Sequence, residues 1–223
     1  MNMRLLRIAA AIAIVLVSAP AVAQGWTEFV SKDDRFTTNF PGAPEVTEST
    51  YKSQFGADLP ARVYSATRGA SRFSVTVVDY RSIEKILTEK SKSCPEGAET
   101  CRGGSNPVSS TGAGYWKADL AGAMVYATWQ FMRRDAVVTE FVWTNIDLVE
   151  GHLLHLTNTD KSRTYASIFM HENKLYIGEA TVPAGEPEPG LFQQALGFID
   201  ENGRSIRYQT LYHNGFPTPP RSR

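Results

Sequence analysis

The strongest structural signal in the chain is the alternation of apolar and polar residues in short segments. Residues 72–80 place Phe73, Val75 and Val77 on one side of an extended backbone, with polar residues between them. Successive side chains of a strand point to opposite faces, so this pattern predicts a β-strand. Gly, Pro, Asn and Asp interrupt similar segments at short intervals, which favours antiparallel pairing.

Further segments carry strand signals of the same kind. They are residues 36–40, 45–53, 61–68, 123–133, 137–145, 153–157, 162–170, 174–182 and 204–212. Short polar turns predict three hairpins, which pair 45–53 with 61–68, 123–133 with 137–145, and 162–170 with 174–182.

Two segments change to the period of a helix. Residues 82–91 place Ile83, Ile86 and Leu87 on one side, and Ser82 is the predicted N-cap. Residues 191–200 form a second predicted helix. Strands in succession with two separate helices predict an α+β fold, in which an antiparallel β-sheet is covered by a few helices.

The N-terminus has the three parts of a secretory signal peptide. Arg4 and Arg7 precede a short apolar run, and small residues end at Ala23, so residues 1–23 are predicted to be cleaved before Gln24. The apolar run is about ten residues, half of what a membrane-spanning helix needs. We therefore expect a soluble periplasmic or secreted protein with no membrane span after cleavage.

Charge and length place further limits on the chain. Removal of Arg4 and Arg7 from 23 basic residues leaves 21 against 23 acidic ones, so no overall field draws the protein to nucleic acid. The remaining chain is long enough for one domain, predicted at residues 24–214. Residues 215–223 are Pro-rich and cationic, and they are predicted to be a disordered tail.

Cys94 and Cys101 lie in an irregular segment, residues 91–114, that is rich in Gly and Ser. In an oxidising compartment we expect them to form a structural disulfide. A redox pair and two free thiols are the alternatives, although redox pairs usually have two intervening residues. A long ordered loop of this kind is a candidate binding element, and disorder is the competing interpretation.

Histidines provide the candidate catalytic or metal-binding groups. Glu150, His152 and His155 lie close together in sequence, and on a strand the two imidazoles point to opposite sides. His171 lies beside Glu172 in a predicted hairpin turn, where exposure is expected. A metal-dependent or other hydrolase that uses Glu150, His152, His155 and His171 is therefore an alternative hypothesis.

The common catalytic and cofactor motifs are absent from the sequence. It has no Gly-x-Ser-x-Gly, no His-Glu-x-x-His and no phosphate-binding loop. Ser49 and Lys52 match Ser-x-x-Lys, but the companion motifs of penicillin-recognising enzymes are missing. We expect no cofactor and lean towards a protein that is not an enzyme.

Aromatic residues lie on the predicted hairpin of residues 123–133 and 137–145. Trp129 and Phe131 share one face, as do Phe141 and Trp143. They fit either the hydrophobic core or the wall of a ligand groove, and the core is favoured.

Several short motifs resemble those of a known group of proteins. They are Trp26-x-x-Phe29-x-Ser31-x-Asp33-x-Arg35-Phe36, Phe40-Pro41-Gly42-x-Pro44, Ser162-Arg163-Thr164, His171-Glu172-Asn173, Glu179 to Pro183, and Leu191 to Gln194. The chain resembles exported alphaproteobacterial proteins of unknown function, similar to the PsbP-like superfamily. The resemblance implies a sandwich-like fold with accessory or binding roles. It carries over no functional residue, and the Cys94–Cys101 insertion departs from the simplest version of the fold.

These observations favour a non-catalytic periplasmic binding or accessory module. Its partner is expected to be a periplasmic protein or a small ligand, bound by the open sheet face or by residues 91–114. An envelope structural or stress interaction protein is a further alternative.

Overall fold

The structure is a computed structural model that describes residues 25–104 and 111–222. Its strands are β1 (Trp26–Ser31), β2 (Phe36–Pro41), β3 (Glu45–Lys52), β4 (Asp58–Arg68), β5 (Ser71–Asp79), β6 (Ala136–Ile146), β7 (Val149–Asn158), β8 (Arg163–His171), β9 (Lys174–Val182) and β10 (Gly197–Phe198). Its helices are α1 (Ile83–Lys92), α2 (Glu99–Arg102), α3 (Trp116–Met132) and α4 (Gly190–Gln193). The predicted signal peptide, residues 1–23, lies outside the described residues.

A seven-stranded sheet forms the centre of the molecule, with strand order β3-β4-β5-β9-β8-β7-β6. A smaller sheet has the order β1-β2-β10. Every pairing within the two sheets is antiparallel. The predicted α+β class, with an antiparallel sheet and a few helices, is therefore confirmed.

Two of the strand connections explain why the hairpins form where they do. Glu172 and Asn173, between β8 and β9, both have positive φ angles of 48° and 58°. Asp147 and Leu148, between β6 and β7, adopt the same left-handed region at 50° and 65°. Two such residues in succession match the twist of a two-residue hairpin. The predicted hairpin of residues 162–170 and 174–182 is confirmed, whereas β6 pairs with β7.

One face of the central sheet packs against α1 and α3. The helices contribute Ile83, Leu87, Ala123, Ala127 and Phe131 to this core. The strands contribute Leu59, Ala61, Val78, Leu154, Leu156, Ala166, Ile168, Met170 and Leu175. Because small alanines of α3 face the sheet, the helix and the strands approach closely.

The small sheet and the C-terminal segment cover the opposite face. Their apolar side chains pack with those of the central strands in a second core, which includes Phe36, Phe40, Tyr64, Phe73, Val75, Val77, Val149, Phe169, Tyr176, Phe192, Phe198, Ile206, Tyr208 and Tyr212. The middle strands of the central sheet are thus buried on both sides, whereas the edge strands β3 and β6 are largely exposed. No helix within residues 25–104 and 111–222 has the length and apolar character needed to cross a membrane.

A buried ion pair joins the small sheet to the central sheet. Asp34, in the loop between β1 and β2, lies 2.9 Å from the Lys174 ammonium at the start of β9. Asp34 is 7% exposed and Lys174 is 5% exposed. The hydroxyl of Tyr64 donates to Asp34 Oδ2 at 2.7 Å, and that of Tyr176 donates to the Asp34 carbonyl at 2.8 Å. Every one of these donors lies on the central sheet, so the network fixes how the two sheets meet.

The predicted strand at residues 123–133 is wrong, because this segment belongs to the 17-residue helix α3. Short apolar runs do not distinguish a strand from a helix by periodicity. Here Ala123 and Ala127 are buried against the sheet, while Val125 and Trp129 on the other side are exposed. Apolar residues on both sides of the helix removed the amphipathic signal that would have identified it.

The C-terminal predictions also need correction. The predicted helix at residues 191–200 shortens to α4, because Gly197 and Phe198 pair with β2 as β10. The predicted strand at residues 204–212 forms isolated bridges, in which Val149 pairs with Tyr212 and Ile199 with Ser205. Its buried residues are Ile206, Tyr208 and Tyr212. The helix predicted at 82–91 is confirmed as α1, although Ser82 makes no side-chain cap bond.

The segment predicted to be a disordered tail makes backbone hydrogen bonds with residues 207–209. The backbone of Gln209 donates to the Pro220 carbonyl at 2.9 Å, and that of Ser222 donates to the Arg207 carbonyl at 2.7 Å. Proline retains a carbonyl acceptor, so a Pro-rich segment can still pair in this way.

Cys94 and Cys101 form a disulfide, with their Cα atoms 5.8 Å apart, that ties the end of α1 to α2. Residues 105–110 of the predicted loop lie outside the described residues. The two ends of this loop meet, since the backbone of Gly114 donates to the Arg102 carbonyl at 2.5 Å. A side chain at position 114 would collide with the backbone of Leu87, so the close approach of Gly114 to α1 requires glycine.

We predict that Asp34→Asn lowers the free energy of unfolding by about 3 kcal/mol or more, because it leaves the Lys174 charge buried without its counter-ion. Asp58→Asn is the matched control, since the Asp58 pair with Lys52 is exposed. That change should cost about 0.5 kcal/mol or less. Urea unfolding of both variants measures the difference, and equal losses would contradict a linking role for Asp34.

Candidate functional site

His152 and His155 lie on β7 and point to opposite faces of the sheet, as the strand interpretation predicts. His152 Nδ1 lies 2.7 Å from the Thr128 hydroxyl of α3. His155 Nδ1 lies 2.7 Å from Glu140 Oε2, and its Nε2 lies 3.0 Å from Gln193 Nε2 of α4. Burial lowers the pKa of His152. The two imidazoles therefore have different partners on different faces.

His171 is fully buried, which contradicts the exposure expected for a turn residue. The C-terminal segment covers the end of β8 and brings the Tyr208 hydroxyl to 2.8 Å from His171 Nε2. The imidazole also packs against Phe198 and Tyr212, with ring centroids 4.6 and 4.9 Å away. Burial lowers the pKa of His171 to about 3, so the ring is neutral at ordinary pH.

The structure does not bring the predicted alternative site together. Glu150 Oε2 pairs with His213 Nδ1 at 2.7 Å, while His152, His155 and His171 have the separate partners described above. Among the described residues, no group of three or more His, Cys, Asp or Glu side chains is arranged to hold a metal ion. The hydrolase alternative therefore has no assembled centre at these residues.

A groove of about 470 Å³ lies beside the loop that precedes α4. Trp26 and Phe73 contribute apolar surface, and Arg68 and Glu186 contribute opposite charges. The groove thus offers no single charge that would select a ligand. Leu191 lies at the margin of this groove and is 61% exposed, so it can serve as an exposed control position.

The outer side of α3 presents an apolar stripe to solvent. Val125 is 60% exposed, Trp129 is 46% exposed and Met132 is 38% exposed. Their spacing of four and three residues places them on one side of the helix. The Arg133 guanidinium lies 4.4 Å from the centroid of the Trp129 ring, which adds a cation at the margin of the stripe.

Strand β6, at the edge of the central sheet, carries further exposed apolar residues. Phe141 is 48% exposed and Trp143 is 54% exposed, so the prediction that they belong to the core is wrong. Within the part of the chain that the structure describes, no strand pairs with the outer edge of β6. Its backbone donors and acceptors on that side are therefore open to a partner strand.

His152 connects the stripe on α3 to the aromatic residues of β6. It bonds to Thr128, which lies within four helix positions of both Val125 and Met132. The His152 ring contacts Phe141 edge-on at 5.2 Å, and His152 is the direct cross-strand neighbour of Trp143. We define the β6–α3 surface as Val125, Trp129, Met132, Val138, Phe141 and Trp143, all of which are exposed.

The other edge of the same sheet has a different composition. Strand β3 carries Glu45, Glu48 and Lys52, and two of these charges are paired with β4, Glu48 with Arg62 at 3.0 Å and Lys52 with Asp58 at 2.6 Å. Charged side chains protect edge strands against pairing with another chain. The ionisable side chain on β6 is that of Glu140, which is paired with His155. The β6 edge therefore lacks this protection.

The sequence pattern does not reveal the β6–α3 surface, because it predicts a strand at residues 123–133. The available signal was the recurrence of Ala123 and Ala127 at a spacing of four, which is typical of a helix packed closely on a sheet. With that segment as a helix, Val125 and Trp129 fall on its opposite side.

No protein-family model matches the sequence, and no curated protein matches it. Among solved structures, the chain is similar to the solution structure of cyanobacterial PsbP (CyanoP) from Synechocystis sp. PCC 6803. The sequence identity is 13%, the match covers 76% of this chain and 87% of that chain, and the TM-score is 0.37. A likeness at this level carries no argument about the function of this chain.

We predict that His171 makes the protein sensitive to mild acid. Below about pH 6.5 the unfolded imidazole binds a proton, whereas the folded one does so only near pH 3. The unfolded state then holds more protons, so the free energy of unfolding falls by about 1.4 kcal/mol per pH unit as the pH decreases.

Denaturant unfolding between pH 7 and 5 measures this slope. His171→Gln should reduce it to the part that His152 contributes, because glutamine does not titrate. His213→Gln, at an exposed position, should keep most of it. An unchanged slope in His171→Gln would contradict the assignment.

Proposed function

We propose that this protein is a non-catalytic binding or accessory module that acts outside the cytoplasm after removal of residues 1–23. Its contact surface is the β6–α3 surface, and its partner is a protein. The observation that carries this proposal is the set of exposed apolar side chains on α3 and on β6, the last strand of the described sheet.

Three features of the surface support a protein partner. Large contiguous apolar patches on soluble proteins mark interaction sites. Aromatic residues dominate the binding energy of protein interfaces, and Trp129, Phe141 and Trp143 are all at least 46% exposed. The open backbone of β6 adds main-chain hydrogen bonds, as in recognition by strand addition.

Two arginines lie at one margin of the β6–α3 surface. Arg133 lies over Trp129, and Arg134 is bound to Glu179 at 2.6 Å. On the opposite face of β6, Glu140 is bound to His155. An apolar centre with a polar margin is typical of protein interfaces. A nucleic acid would instead need a row of unpaired cations.

Site-specific photo-crosslinking in cells tests the proposal. We predict that a photo-reactive residue in place of Trp143 gives adducts of discrete mass, because a partner covers this position. The same residue in place of Leu191, which is at least as exposed, is the matched control and should give none.

Mass spectrometry of the adducts then identifies the partner. The absence of discrete adducts at position 143, or an equal yield at position 191, would contradict the proposed surface.

A further inference from the structure

We infer that the partner at the β6–α3 surface is a second copy of this chain, whose β6 pairs antiparallel with the first across a two-fold axis. This inference rests on the proposed function, because it names the partner of the same surface. The pairing joins two central sheets into one continuous sheet through the edge that the described chain leaves open.

The charges on β6 favour a copy of the same strand. A two-fold axis places identical strands against each other, so a strand with several like charges opposes itself. Between Ala136 and Ile146 the ionisable residue is Glu140, and its carboxylate is paired with His155. The pairing of β6 with itself therefore brings no row of like charges into the joint.

The exposed apolar area contributes to the interface that a stable dimer requires. A half-exposed aromatic side chain presents about 100 Å² to solvent. The three aromatic side chains of the β6–α3 surface then present about 300 Å². Its aliphatic residues, Val137 and Val142 on the other face of β6, and the open backbone edge add to this area, towards the roughly 800 Å² that each partner contributes to a standard protein interface.

One register satisfies both the symmetry and the side chains. With the axis at Val142, each Phe141 lies opposite Trp143 of the second copy, which makes two aromatic cross-strand pairs. Glu140 then lies opposite Thr144 and away from Glu140 of the other strand. The bulge between Val138 and Glu140 lies beyond this central segment, so the ladder from Glu140 to Thr144 is regular.

The mass of the protein in solution tests the inference. The full-length sequence is expressed, and the purified protein is studied by sedimentation at about 100 μM, above the micromolar dissociation constants of weak standard-size interfaces. We expect twice the mass of the chain. Trp143→Glu should weaken the dimer about 100-fold or more, since it places a charge in each aromatic pair.

Val46→Glu on β3 is the control for an exposed valine on the other edge, and it should leave the dimer intact. A monomeric mass at this concentration would overturn the inference, as would a dimer that Trp143→Glu leaves unchanged.

Cysteine crosslinking tests the register. Val142→Cys places one thiol directly opposite its own copy, at a Cα separation of about 4.5–5.5 Å, within the range that a disulfide spans. Mild oxidation should then give a covalent dimer on a non-reducing gel. Val46→Cys should not. A dimer by mass that gives no crosslink at position 142 would overturn the predicted register.

The two proposals fail in different ways. If the purified protein is monomeric but position 143 crosslinks to a different protein in cells, the self-association is wrong and the binding surface stands. If position 143 gives no discrete adduct and the purified protein is monomeric, both are wrong.

Discussion

The central constraint on this fold is a single sheet that is apolar on both faces. Strands β8 and β9 carry buried side chains on each side, so two covering layers are needed. Helices α1 and α3 supply one layer, and the small sheet with the C-terminal segment supplies the other. The remaining features of the structure follow from how far these two layers extend.

The covering layers are held by a few specific polar contacts within apolar surroundings. The Asp34–Lys174 pair fixes the small sheet, and the Tyr208 hydroxyl beside His171 fixes the C-terminal segment. On the helical face, Ser53 donates to the buried carboxylate of Asp119 at 2.5 Å and ties α3 to the β3–β4 turn. Burial raises the pKa of Asp119, so this hydrogen bond compensates part of the cost of burying a carboxyl group. These polar contacts fix the positions of the covering layers, whereas the burial of apolar surface supplies most of the stability.

The layers extend less far at β6 than over the rest of the sheet. Helix α3 contacts β7, β8 and β9, so β6 lies beyond its main contacts. Phe141 and Trp143 are therefore half-exposed, whereas Leu154 and Leu156 on the neighbouring strand are buried. The same geometry that completes the core leaves an apolar edge available to a partner.

The local pattern of apolar and polar residues predicts those helices and strands that have one apolar side and one polar side. Strand β5 and the β8–β9 hairpin were found because polar residues alternate with apolar ones or a polar turn separates two runs. Helix α3 is not predicted because its outer side is apolar as well, and this apolar side is part of the proposed binding surface. The burial of His171 was also missed, because it depends on Tyr208 and Tyr212, which fold back from a distant part of the chain.

The residues of the candidate site are harder to predict from the sequence than the fold is. The histidines attract attention by residue type, yet their partners lie on separate elements and on both faces of the sheet. The exposure of Trp143 depends on which strand is last in the sheet, and strand order is a long-range property that a local pattern does not encode. Only the composition of β6, with its lack of lysine and proline, carried a local signal of an unprotected edge.

Amide hydrogen exchange of the two edge strands, measured at about 100 μM and at a hundredfold dilution, tests the central claim most directly. If β6 is the edge at which a second molecule pairs, its amides exchange slowly in the concentrated sample and faster on dilution, while those of β3 exchange at the same rate in both. Rapid exchange of β6 at both concentrations, equal to that of β3, would contradict the account.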